Sequence, residues 1–129
     1  MNWETVEINK PRRKTEAFAS VGRNSIILSG GACQLINDFP KYGYAQIMRG
    51  QIDGKKVLGI RLCENSEKNS LRIIKRKVNN EIIAYSGSLN SKSVVEELFG
   101  LIGTQNKVTN YSITLDPEER NVLIIHLEN

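Results

Sequence analysis

The chain has 129 residues, 40% of them hydrophobic and 25% charged, with a net charge of +4. That length suits one domain, and no apolar run approaches the ~20 residues needed to span a bilayer, which excludes a helical membrane protein. The N-terminus MNWETVEINKPRRKT lacks the apolar core of a secretory signal, so a cytoplasmic location is expected.

Cys33 and Cys63 lie far apart with no Cys or His spacing around them, so free thiols are expected and neither a disulfide framework nor a metal site. Positive charge gathers in two places. Lys68, Arg72, Lys75, Arg76 and Lys77 follow one another without an acid, and Lys10, Arg12, Arg13 and Lys14 form a second cluster near the N-terminus. Asp116 to Glu128 is net acidic.

In chain order, alternating Trp3, Val6 and Ile8 suggest a short strand that Pro11 ends. The segments FASV (18–21) and SIIL (25–28) read as strands joined at Gly22-Arg23-Asn24, where Gly and Asn accept positive φ. Ala32, Leu35 and Ile36 fall on one face of a short helix within 29–37, which Asp38-Phe39-Pro40 stops. Strands at 44–49 and 57–62 flank Asp53-Gly54, a strong hairpin signal. The polar stretch 64–70 serves as a connector.

A second hairpin is expected from 71–74 and 81–85, with a basic break at 75–80, and a Ser-Gly-Asn loop then leads to a helix over 91–102. Asn90 or Ser93 could cap that helix, Ser93 with Glu96 as a capping box, and Gly100 and Gly103 would end it. A last hairpin joins 111–115 to 122–127 through Asp116-Pro117-Glu118.

The closing strand VLGIRL (57–62) has a near copy, VLIIHL (122–127), 65 residues further on, and the order hairpin, helix, hairpin occurs in both halves. The expected fold is therefore α+β and mostly antiparallel β: one domain with a basic arm at 1–14 and two similar ββαββ halves, about 15–63 and 70–127, forming a barrel-like core.

Gly22-Arg23 between two strands, the short helix with Leu35, and Tyr42-Gly43-Tyr44 before a hairpin resemble the AbrB-type swapped-hairpin DNA-binding regulators. Gly43-Tyr44 stands where that family carries Gly-Asp, and the likeness covers about 17–62 and more faintly 71–127. The resemblance implies two half-barrels interlaced, here within one chain or as a homodimer, and contact with double-stranded DNA. It points to Arg23 and, by pseudo-symmetry, to Lys75, Arg76 and Lys77.

Independently of family, cations on a rigid hairpin neutralise phosphates and release counterions, which suits Arg72, Lys75, Arg76 and Lys77. Arg12, Arg13 and Lys14 could do the same from a flexible arm. The same residues also suit a solvated edge whose lysines discourage edge-to-edge pairing. By alternation Arg72, Ile74 and Arg76 share one face, so the charges cannot all point the same way.

Catalysis has little support. His126 sits within the VLIIHL alternation as a core or boundary residue, and Ser29-Gly30-Gly31 lacks the lysine of a phosphate loop. No cofactor or metal is expected. The leading expectation is a non-enzymatic transcriptional regulator that binds DNA, of bacterial or mobile-element origin. The alternative is a protein-interaction or inhibitor module that meets an acidic partner surface.

Overall fold

A computed structural model describes residues 2–5, 16–77, 85–100 and 108–128. Among them nine strands, all paired antiparallel, form one sheet that curls into a nearly closed barrel. The elements are β1 (Phe18–Gly22), β2 (Ser25–Leu28), α1 (Gly30–Gln34), a 3-10 turn at Phe39–Lys41, β3 (Tyr44–Ile52) and β4 (Lys55–Cys63), then β5 (Ser70–Arg72), β6 (Ile74–Lys77), β7 (Tyr85–Asn90), α2 (Lys92–Phe99), β8 (Thr109–Leu115) and β9 (Val122–His126). No helix among the described residues is long and apolar enough to cross a membrane.

Two tight turns set the register of the first two hairpins. Arg23 and Asn24 take φ of 52° and 62°, and Asp53 and Gly54 take 50° and 77°. Positive φ at both central residues produces the twist that antiparallel strands require. Gly22 itself belongs to β1, opposite Ser25, so Arg23-Asn24 makes the turn and Gly22 does not.

The strands run in the order β5-β3-β4-β9-β8-β1-β2-β7-β6. Near-closure comes from Ser70–Lys77, which changes partner midway. Arg72 pairs with Tyr44 of β3, whereas Ile74 pairs with Ser88 of β7. Between them Ile73 leaves the ladder, buries its side chain and donates its N–H to the Gly43 carbonyl at 2.8 Å.

Inside lie Ala19, Val21, Ile26, Leu28, Ala45, Leu58, Ile60, Leu62, Leu89, Ile113, Leu123 and Ile125, which alternate along their strands. α1 closes one end with Ala32 and Cys33, joined by Ile36 and Phe39. Ser29 anchors it: its hydroxyl accepts from the N–H groups of Ala32 at 3.1 Å and Phe18 at 3.0 Å, and donates to the Glu16 carbonyl at 2.8 Å. α2 packs at the other end with Val95 buried and Leu98 and Phe99 half-buried, the Phe99 ring 5.7 Å from that of Tyr111.

Three sequence expectations need correction. Lys75–Lys77 are not a break in the strand: they continue it as β6, held by β7. Ser86–Asn90 are not a loop but most of β7, because flanking β2 and β6 satisfy the backbone on both edges despite a composition poor in strand formers. α2 is capped by Ser91, whose hydroxyl accepts from Val94 N–H at 3.3 Å, and not by Asn90 or Ser93. Asn90 is unavailable as a cap because it is still paired with Ser25. α2 also ends at Phe99, with Gly100 in positive φ, and the expected continuation to Ile102 lies outside the described residues. The expected strand at Val6 and Ile8 and the hairpin tip at Asn79-Asn80 lie outside the described residues; Trp3 is exposed and in no strand.

Candidate functional site

The described strands carry eight Lys or Arg residues and no Asp or Glu. The described acids occupy turns, connectors, terminal stretches and α2 instead. Three of the strand cations, Lys75, Arg76 and Lys77, fall in the four residues of β6.

Arg72, Ile74 and Arg76 share one face, as alternation required, and that face is the outer one, all three being exposed. Lys75 points the other way. Its ammonium donates to the Pro40 carbonyl and lies 5.6 Å from the centre of the Phe39 ring. Burial depresses its pKa, opposed by attraction to the neighbouring Cys33 thiol. Lys75 thereby ties β6 to the 3-10 turn. Arg76 and Lys77 project from an element held in register, Arg76 opposite Ser86 and Lys77 opposite Tyr85.

The outer face beside Arg76 follows from the registers. Ile74, Ser88, Ile27, Ser20 and Asn110 stand in one row across β6, β7, β2, β1 and β8. Ser20 donates to Asn110 Oδ1 at 2.6 Å, and Ser88 to Asn90 Oδ1 at 2.9 Å. Ile27 and Ile74 are 43% and 47% exposed, on strands separated by β7, hence about 10 Å apart. The face is thus polar, short-chained and acid-free, with two apolar residues and a basic edge.

Arg23 occupies the exposed β1–β2 turn, away from that edge. Along β7, Lys77 pairs at Tyr85 and Ser25 pairs at Asn90, which puts the Arg23 turn and Lys77 on the order of 17 Å apart in the strand direction. The structure therefore brings Lys75, Arg76 and Lys77 together on β6, leaves Arg72 on β5 against β3, and sets Arg23 at the other end of the sheet region that β6 edges. Arg12, Arg13 and Lys14 lie outside the described residues. Ile27, Ser20, Ser86 and Ser88 were not singled out from sequence. The absence of acid from the strands was readable there once the strands were assigned, but the row itself needs the register.

His126 lies half-buried on the outer face, its Nε2 2.7 Å from Thr114 Oγ1, and Arg61 shares that face and meets Glu119 at 3.7 Å. Cys33 is a buried free thiol and Cys63 a half-buried one. Among the described residues no three of His, Cys, Asp and Glu gather as a metal site would require.

Compared with protein-family models, curated proteins and solved structures, the chain matches none.

Proposed function

We propose that this chain is a DNA-binding protein, acting as a transcriptional regulator, which sets the outer face of β6, β7, β2 and β1 against the phosphate backbone. One observation carries the reading: Arg76 projects outward from β6, a strand held in register, with Lys77 exposed at the strand end and Arg72 exposed on the adjoining β5, beside a face whose strands hold no acid. The arginines supply charge-assisted contacts to phosphate, and the short serine hydroxyls let the backbone approach closely. Arg23 extends the contact along the sheet, and the arm with Arg12, Arg13 and Lys14 adds charge. Lys75 acts by fixing β6.

The AbrB-type reading, with two related half-barrels, belongs to the same proposal. In support, β1 lies beside β8 and β5 beside β3, so the first strand of each proposed half pairs with the closing hairpin of the other. β2 and β7, the second strands, adjoin each other, as do β4 and β9.

Mobility shift of a generic duplex across a salt series tests the function. Affinity should fall with salt at a logarithmic slope of about −0.9 per phosphate engaged. The double variant Arg76→Glu, Lys77→Glu should weaken binding and make the slope shallower by about 2. No shift even at low salt would exclude DNA.

Exposed Ile27 and Ile74 favour a second reading, a protein-interaction module whose partner is acidic with an apolar centre. Ile27→Glu discriminates: pull-down of an acidic partner would collapse, whereas the slope of any phosphate contact made by Arg76 and Lys77 would persist.

A further inference from the structure

The α2 end of the barrel holds a feature that the outer face does not use. Arg49 occupies an inward position of β3, two residues after half-buried Ile47, and its register partner is buried Leu58. Its guanidinium meets the Glu97 carboxylate of α2 at 3.4 Å, with both side chains about two-thirds exposed. A pair so exposed is weak and exchangeable.

Two open cavities flank this pair and share Arg49 and Leu98. One, of about 440 Å³, runs along Ile47, Leu71 and Leu98. The other, of about 540 Å³, has Leu58, Leu98 and Leu127 in its wall and Lys56 at its edge. Among the described residues Arg49 and Lys56 are the cations lining that second cavity, and no acid lines it. Both volumes fall in the range of small-molecule sites, and the lining of apolar walls with a few charged groups is typical of them. Glu97, seated on Arg49, shows that a carboxylate fits there.

We propose that this end of the barrel binds an amphipathic carboxylate, a medium-chain fatty acid by chemical class, with Arg49 taking the carboxylate in place of Glu97 and the chain lying over Leu58, Leu98 and Leu127. Lys56 adds positive charge at the mouth. The site is independent of the DNA reading, since Arg49 and Lys56 belong neither to β6 nor to its outer face.

Titration calorimetry of the full chain with decanoate below its micellar concentration tests this. Saturable one-to-one binding is expected. Arg49→Gln should weaken it about tenfold, through loss of a charge-assisted pair. Glu97→Gln should tighten it roughly threefold, because the internal competitor is gone. Leu98→Trp, which fills the wall shared by both cavities, should abolish binding. Decanol, which keeps the chain and lacks the charge, should bind more weakly than decanoate. Absence of saturable decanoate binding to the unaltered chain overturns the proposal. So does equal affinity in the Arg49→Gln variant, or decanol binding as tightly as decanoate.

Discussion

Gly59 and Ile124 face each other across β4 and β9, and the pairs on either side are arranged symmetrically about them. Leu58 pairs with Ile125 as Ile60 pairs with Leu123, and Val57 pairs with His126 as Arg61 pairs with Val122. If VLGIRL is laid on VLIIHL position by position, each of these pairs maps onto another pair, and Gly59–Ile124 maps onto itself. The two similar stretches thus lie side by side, antiparallel and in register about a local two-fold. A Cβ on Gly59 would stand 2.9 Å from Met48 Cε and 3.8 Å from Val122 Cγ1.

The Met48 contact is with the end of a flexible side chain, so Gly59→Ala should cost little, under ~1 kcal/mol in chemical denaturation. Gly59→Ile, which copies the facing residue, should cost about 1–3 kcal/mol through overpacking. Met48→Ala should recover part of the loss in the double variant. Equal stability of Gly59→Ile and the unaltered chain would mean that the outer face has more room than these distances show.

The two cap serines should differ in weight. Ser91 supplies one hydroxyl contact to a helix N–H, and Ser91→Ala should cost about 1 kcal/mol. Ser29 also joins the end of β1 to α1 through Phe18 N–H and the Glu16 carbonyl, and it is buried. Ser29→Ala leaves more than one polar group without its partner, so its cost should reach about 2 kcal/mol or more in the same denaturation experiment.

Burial pushes the Cys33 thiol up to about 12, against a smaller lowering by the Gly87 backbone and Lys75. The unfolded chain therefore loses this proton first as pH rises. The stability linked to Cys33 is intact below 9.0 and is lost progressively toward about 12. Denaturation midpoints across that range should fall less steeply in Cys33→Ala than in the unaltered chain. In thiol labelling of the native protein Cys63 should react first, and Cys33 only at the rate of opening.

Neighbours on β6 should separate by readout. Lys75→Ala removes the hydrogen bond to Pro40 and the contact with Phe39, and should lower stability by about 1 kcal/mol. Arg76→Ala, exposed, should stay within about 0.5 kcal/mol of the unaltered chain. Thermal melts of the two variants compare them directly, and a larger loss at Arg76 would contradict the assignment of Lys75 as the strut.

Much of this was legible from local chemistry. Asp53-Gly54 announces its turn, and Asn24 the other, because few residues accept positive φ, although Arg23 and not Gly22 joins Asn24 there; SIIL and VLGIRL announce strands through apolar alternation. That Arg72, Ile74 and Arg76 share one face also followed from alternation alone. Three features did not. Ser86–Asn90 reads as a loop until β2 and β6 are found on both sides of it. Lys75 looks like its neighbours until its ammonium is traced to a carbonyl 35 residues away. Ile27 and Ile74 look like core residues until the register turns them outward.

The turns, the apolar phase of the longer strands and the clustering of positive charge are local properties, readable from residues within a few positions of one another. Which strands neighbour which, the passage of Ser70–Lys77 from β3 to β7 that nearly closes the sheet, and the engagement of Lys75 among the cations of β6 emerge only when the chain is folded. Pairing between segments distant in the chain depends on backbone groups that every residue possesses, so composition does not reveal it.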